Sequence, residues 1–365
     1  MKAHDLLGKG RDAVAARLRV EAHGSVRFGS PLYGALIERA AQDVESGGPL
    51  WAVLEGLHAD IRRTFLALHL MAAVHRLVLE GGAPEVAAHF PSVGGDGDPE
   101  GAWTAMRALV ADRPDDVRRF AARPIQTNEP GRSAALLGGF LLVAERTGLP
   151  LRTLEVGASA GLNLRWDRFR YESSPIGTWG DPAARLRFTD VFEGAVPPVR
   201  PLPEVVSRAG CDANPLDPTT EEGRFTLMSY VWADQLARVR QLDAAIEIAR
   251  EHPAPVERAN ALEWLPRMLE RPAPGAATVV FHSVFLHYLS KRQRANLAGM
   301  IGSAGAAATS EAPLAELSLE PRDLDELPPS FEVRLRVWPG GTDDAIAAAV
   351  PHGPPVRWLG ASANG

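Results

Sequence analysis

The sequence predicts an α/β protein: an open, mostly parallel sheet with helices on both faces, preceded by a helical N-terminal domain. Three observations carry this expectation. From Ser133 onward, helical patterns alternate with short β-rich runs, as a parallel sheet requires. Before that point, apolar residues recur at three-to-four spacing, the period of an amphipathic helix. A length of 365 residues also leaves room for roughly two domains of ~100–200 residues each. The expected division is a helical domain over residues 1–122 and an α/β domain over residues 123–365.

Taken in order, the clearest N-terminal helix spans residues 50–82, where Leu54, Leu57, Ile61, Phe65 and Leu68 form a stripe that Val74, Leu77 and Val78 extend up to the glycine pair. His58, His69 and His75 lie in this helix and read as packed or surface residues rather than metal ligands. "PSVGGDGDPEG" is a breaker-rich loop. "SAALLGGFLLVAERTG" is a helix stopped by Gly148, "LRTLEV" a buried strand, and "ASAGLNLRWDRFRY" the helix expected after it. Further strands are expected in "PEVVSRAGCD", "APVERANA", "ATVVFHSVFL", "LAELSLE" and "FEVRLRVW", with helices in "VWADQLARVRQLDAAIEIAREH" and "SKRQRANLAGMIGSAG". Near the end, "TDDAIAAAV" offers only a short crossover helix between the runs at 331–338 and 356–359, so one of these two is expected to run antiparallel.

Composition limits the function classes. Hydrophobic residues make up 45% and charged residues 23%, which indicates a globular chain. A net charge of −6 argues against a nucleic-acid partner. Cys211 is the only cysteine, which excludes an internal disulfide and fits a reducing compartment. The N-terminal stretch "MKAHDLLGKGRDAVAARLRV" lacks the apolar core of a signal peptide, and no stretch approaches the apolar length of a membrane span. A cytoplasmic protein with a small-molecule substrate and no membrane partner is expected, and its oligomeric state is not legible.

The chemistry concentrates after the first strand of the α/β region. A turn there faces the crevice where doubly wound sheets bind ligands, beside unpaired backbone N–H groups. The spacing Glu155-x-Gly157-x-Ser159-x-Gly161 is neither the dinucleotide fingerprint nor a phosphate loop. It resembles the E/D-x-G-x-G-x-G signature of Rossmann-like S-adenosylmethionine methyltransferases, with Ser159 in place of the middle glycine. The other reading is a glycine-tightened turn. Gly157-Ala158-Ser159-Ala160-Gly161 also fits a nucleophile elbow, which would make Ser159 a hydrolase nucleophile with Asp212 and His282 or His352 as partners.

The segments "SPLYGALIERAAQDVE", "IQTNEPGRSAALLGGF", "LEVGASAGLNLRWDRFRYE", "RAGCDANPLDP", "VWADQLARVRQLDAAIEIA" and "PHGPPVRWLG" together resemble the DUF2332 family of uncharacterised bacterial proteins. The resemblance covers most of the chain and implies a methyltransferase-like fold. Methyltransferase logic then assigns roles to matching residues. Glu155, Gly157, Ser159 and Gly161 would contact S-adenosylmethionine. Asp212 would accept from its ribose, although Asp212 follows Glu155 by 57 residues and requires an insertion at residues 171–202 to be looped out. Asn260 would meet the adenine, and Arg132 a carboxylate of the cofactor or substrate. A turn at Asp212 and a surface position for Asn260 are the plain alternatives.

At the end of the fourth strand, His282 and Ser283 are the catalytic candidates, with His282 or His287 as a general base. Gln126, Asn128, Glu129, Asn163, Tyr171 and Trp179 are the substrate-binding candidates. Asn128 could equally cap a helix. Asp181, in the insertion with Tyr171 and Trp179, belongs to a lid or pocket wall, whereas His352 and Trp358 read equally well as edge packing. The function expected is transfer of methyl from S-adenosylmethionine to a small molecule. The alternatives are a non-catalytic binding or regulatory protein on the same scaffold, and the serine hydrolase.

Overall fold

The computed structural model describes residues 10–55, 65–174, 176–324, 329–340 and 342–360. Its helices begin with α1 (Arg11–Arg27), α2 (Pro31–Glu45), α3 (Pro49–Leu54), α4 (Leu66–Leu79), α5 (Pro84–Ala87), α6 (Pro99–Asp112) and α7 (Pro114–Ala121). Proline at the first helical positions of α2, α3, α5, α6 and α7 explains these sharp starts, because its missing N–H would be unpaired there in any case. There follow α8 (Arg132–Thr147), β1 (Leu151–Val156), β2 (Arg170–Ser173), β3 (Gly177–Trp179), β4 (Arg187–Phe188), β5 (Val205–Asp212), α9 (Glu221–Ser229) and α10 (Leu236–Glu251). The chain ends with β6 (Val256–Arg258), α11 (Ala261–Leu269), β7 (Ala277–Ser283), α12 (Lys291–Ala306), β8 (Leu314–Pro321), β9 (Phe331–Trp338), β10 (Thr342–Val350) and β11 (Gly353–Trp358).

Two compact units divide the chain. The first comprises the residues up to Thr127 together with Thr220–Arg240, and the second Asn128–Thr219, Gln241–Leu324 and the residues from Pro329. The first unit is helical and has a large apolar core, into which α4 contributes Leu66, Leu70, Met71, Val74 and Leu77. His75 is buried there with Nε2 2.8 Å from the Ser92 hydroxyl, and burial pushes its pKa down to about 4. It is a neutral core histidine. The single helix expected over residues 50–82 is interrupted: α3 ends at Leu54 and α4 starts at Leu66, while Leu57, His58 and Ile61 lie outside the described residues.

The second unit is built on an eight-stranded sheet in the order β11-β10-β9-β8-β7-β1-β5-β6. Strands β8, β7, β1, β5 and β6 pair in parallel, and β9, β10 and β11 add antiparallel pairs. Strands β1 and β7 are buried along nearly their whole length because both faces of the sheet are covered. On one face α8 packs on β7, β8, β9, β10 and β11, with the Phe140 ring edge-on to Phe281. On the other, α11 and α12 bury Leu265, Leu297 and Ile301 against Leu154, Val156 and Val280.

Three local expectations fail for identifiable reasons. The stretch after β1 is not an α-helix. Gly157, Ser159 and Gly161 all adopt left-handed backbone (φ 70°, 52° and 67°), which cannot propagate a right-handed helix, so only a 3-10 segment forms at Leu162–Arg168 before the chain enters β2. The alanine-rich "TDDAIAAAV" is strand β10 rather than a crossover helix, because pairing with β9 and β11 on its two sides overrides its helical propensity. Consequently both end runs, in β9 and β11, oppose the parallel strands, where one was expected. The insertion carries a small sheet of its own, ordered β3-β2-β4.

Candidate functional site

The turn that leaves β1 is fastened by backbone and carboxylate contacts. Ala158 N–H donates to the Cys211 carbonyl (3.0 Å), and Ser159 N–H donates to Asp212 Oδ2 (2.9 Å). Asp212 Oδ1 accepts from Asn214 N–H (2.8 Å), so one carboxylate ties the turn to the end of the neighbouring strand β5. The glycines are explained by space as well as by φ. A Cβ on Gly157 would lie 2.4 Å from Phe285 Cδ2, and one on Gly161 2.7 Å from Val256 Cγ2. Both glycines are thus required by packing within the fold itself.

Behind this turn is a buried polar cluster. Glu155 is 2% exposed, and burial pushes its carboxyl well above the usual carboxylate range. The guanidinium groups of Arg132 and Arg165 and the amide of Asn163 oppose that shift, and Asp212 adds to it. Asn163 Oδ1 accepts from the Ser133 hydroxyl (2.7 Å). Among the described residues, Glu155 Oε2 and Asn163 Nδ2 are buried without a hydrogen-bond partner. Arg132 donates from Nε to the Pro351 carbonyl (2.9 Å) and from Nη1 to that of Ser283 (3.4 Å). Arg165 donates to the His252 carbonyl (2.8 Å) and to that of Gly161 (2.6 Å). Asn128 Oδ1 accepts from Leu162 N–H (2.8 Å) and so caps the 3-10 segment, while Glu129 is buried one turn before α8.

The end of β7 presents His282 and Ser283 on opposite faces. Phe281 and Glu155 are register partners facing α8, so alternation turns His282 toward α12. His282 Nδ1 lies 2.7 Å from Glu320 Oε1, and its Nε2 lies 3.9 Å from Glu316. Burial disfavours the imidazolium, but the two carboxylates outweigh it and push the pKa up to about 9. At neutral pH His282 is therefore a cation, able to donate a proton rather than accept one. It also borders a cleft of about 390 Å³ shared with Arg294, Glu316 and Arg336.

The same Glu320 carboxylate accepts from Phe285 N–H (2.9 and 3.2 Å) and Leu286 N–H (3.3 Å). It thereby holds the turn that follows β7, where Val284 has φ 52°. His287 in this turn is pushed down to about 4 by burial, and Tyr288 beside it is exposed.

The remaining candidates fall elsewhere. Asn260 is exposed and caps α11, accepting from Leu262 N–H (2.9 Å). Tyr171 and Trp179 are fully buried in the insertion, with Tyr171 Oη donating to the Trp166 carbonyl (2.7 Å) and Trp179 Nε1 to that of Pro198 (3.0 Å). They form that segment's own core. Asp181 is exposed, its Oδ1 accepting from Ala183 N–H (2.8 Å), and Trp358 packs on Gly138 of α8. The His352 carbonyl packs closely on Gly131, just before α8. Gln126 is buried in the first unit, whereas the other candidates belong to the second. Sequence reasoning missed Arg165, Glu320 and Phe285. Arg165 sits four residues after Gly161, a visible signal, but Glu320 and Phe285 act through partners that only the sheet brings together.

Among the described residues, no group of three or more His, Cys, Asp or Glu side chains is placed to hold a metal ion. Nor, among them, is any helix long and apolar enough to cross a membrane. No curated protein and no solved structure matches the chain. One family model does, over residues 15–358, which is nearly the whole chain. The motifs around β1, β5 and α8 therefore sit in a family framework, and the chain belongs to DUF2332, described as an uncharacterized protein conserved in bacteria.

Proposed function

We propose that the second unit is a Rossmann-like S-adenosylmethionine-dependent methyltransferase acting on a small molecule. The observation that carries this reading is the placement of Glu155, Asp212 and Asn260 at the carboxyl ends of the adjacent parallel strands β1, β5 and β6. Numbered among themselves, the parallel strands run β6-β5-β1-β7-β8, that is third, second, first, fourth, fifth. In such sheets ligands bind outside the strand ends where the order reverses, here between β1 and β7.

The buried cluster fits the group. An unmatched buried polar atom costs about 1–3 kcal/mol, and Glu155 Oε2 is such an atom behind the turn, beside the Asn163 amide. Glu155, Ser159 and Gly161 would hold the methionine end, and Asp212 and Asn260 the nucleoside. When bound, the cofactor supplies an electrophilic methyl group. The chain's own task is then to orient the acceptor and exclude water, for which proximity is sufficient and no covalent intermediate is required. With His282 protonated at neutral pH, it serves to hold charge and geometry, not to accept a proton.

One observation bears on the hydrolase. Ser159 has the left-handed backbone of a strained elbow (φ 52°), yet Asp212 is bonded to the Ser159 amide and His282 Nδ1 to Glu320, which leaves the proposed triad partners engaged elsewhere. Calorimetry with S-adenosylmethionine and with S-adenosylhomocysteine tests the proposal, with binding expected in the wild type and weakened at least about tenfold in Asp212→Ala. Absence of binding by both compounds would defeat it and leave the non-catalytic binding protein. Fluorophosphonate labelling that disappears in Ser159→Ala would instead establish the hydrolase.

A further inference from the structure

The segment 284–289, between β7 and α12, concentrates costs that the fold alone does not demand. Val284 is β-branched and left-handed (φ 52°), a conformation costing on the order of 1–3 kcal/mol. Directly beneath it a carboxylate and an imidazolium are buried together, Glu320 being 6% exposed and His282 2%. Buried charges of this kind are retained where they are fully hydrogen-bonded, and Glu320 is: it takes His282 Nδ1 at 2.7 Å and the Phe285 and Leu286 amides at 2.9–3.3 Å. The consequence falls on Gly157. The Phe285 ring fills the volume that any side chain at Gly157 would need.

We infer that Glu320 is a positioning residue: its carboxylate, oriented by His282, sets the turn after β7 so that Phe285 forms the wall of the crevice beside the β1 turn. The inference rests on the adenosylmethionine reading of that crevice, and it names a residue two strands away from β1. Three features of the geometry support it. Glu320 lies on β8, reaches across His282 on β7, and delivers Phe285 to the end of β1, so one side chain links three adjacent parallel strands. One of the backbone amides it binds is that of Phe285, whose ring meets Gly157. Arg132 is fixed at the same end of β7, donating from Nη1 to the Ser283 carbonyl at 3.4 Å.

The test is hydrogen exchange on the full-length protein, paired with calorimetry using S-adenosylhomocysteine. In Glu320→Gln, a peptide covering residues 284–290 is expected to exchange at least about tenfold faster, as loss of a charge-assisted hydrogen bond would produce, with peptides from α8 and β1 unchanged. S-adenosylhomocysteine affinity should fall by a comparable factor, and further in Glu320→Ala, which leaves no acceptor. Phe285→Ala keeps the Glu320 contacts and removes only the ring; it should weaken the same ligand while leaving exchange at 284–290 near the wild-type rate. Unchanged exchange in Glu320→Gln overturns the positioning role. A loosened turn with undiminished ligand affinity overturns its link to the crevice. A wild type that binds no S-adenosylhomocysteine defeats the adenosylmethionine reading instead, and the exchange measurement then decides the role of Glu320 on its own.

Discussion

Gly157 shows how much a single position can constrain. Replacing it by alanine forces a side chain into left-handed backbone and into the Phe285 ring, two penalties of about 1–3 kcal/mol each. Gly157→Ala should therefore cost at least about 2 kcal/mol in a urea denaturation. In the Phe285→Ala background the steric part should vanish while the backbone strain persists, and additivity of the two changes would contradict the contact. His282 makes a different residue-scale prediction. Its native pKa of about 9 stands above the unfolded value of 6.5, so its stabilising contribution is complete below pH 6.5 and is lost as pH rises through about 9. Glu316 and Glu320 on β8 face it, with Arg336 beside Glu316. The difference in Tm between wild type and His282→Gln should shrink steadily from pH 6.5 to 9, and a constant difference would refute the assignment.

Among the elements, α8 is the most exacting because it crosses half the sheet. Its Gly139 sits mid-helix, where alanine would ordinarily gain about 1 kcal/mol from helix propensity. The added Cβ, however, would lie 2.2 Å from Leu317 Cδ1, a fully buried side chain on β8 with nowhere to move. Overpacking of about 1–3 kcal/mol should win, so Gly139→Ala is expected to destabilise, and a gain in stability would show that the helix can shift. Elements of this kind were legible in the sequence where local pattern and tertiary context agree. β7 carries the apolar run Val279–Phe281, β1 places Leu151, Leu154 and Val156 in the core, and α8 ends at Gly148, whose left-handed conformation is the common helix stop. Legibility failed where long-range pairing decides. Nothing in "TDDAIAAAV" records the two flanking strands, and nothing in the glycine spacing after β1 records that Phe285 and Val256 pack on Gly157 and Gly161. In the candidate site, Glu155 and Asp212 could be read from their places after apolar strands. Arg165 and Glu320 could not, since their roles depend on carbonyls and amides brought near by folding.

For the whole molecule, the division into units makes a claim about what folds alone. The chain leaves the first unit at Thr127 and re-enters it for Thr220–Arg240, which carries α9. Arg76 on α4 is only 4% exposed, and its guanidinium reaches Thr226 Oγ1 at 2.7 Å and pairs with Glu222, both on α9; its i+4 neighbour Glu80 supplies a further carboxylate at 2.7 Å. Phe225 also lies under the same guanidinium. A fragment ending at Thr127 therefore keeps the arginine and loses most of its partners, Thr226, Phe225 and the exposed Glu222, and leaving buried donors unmatched costs about 1–3 kcal/mol, an appreciable share of the ~5–15 kcal/mol that stabilises a typical domain. The fragment of residues 1–127 should be helical by far-ultraviolet circular dichroism yet lack a cooperative thermal transition. Appending residues 220–240 through a flexible Gly/Ser linker should restore cooperativity, and Glu222→Ala with Thr226→Ala in the linked form should remove most of the gain. A cooperative transition in the unlinked fragment would mean that the helices before Thr127 bury enough apolar surface to carry an Arg76 without its α9 partners, and that α9 is an accessory to a core already complete without it.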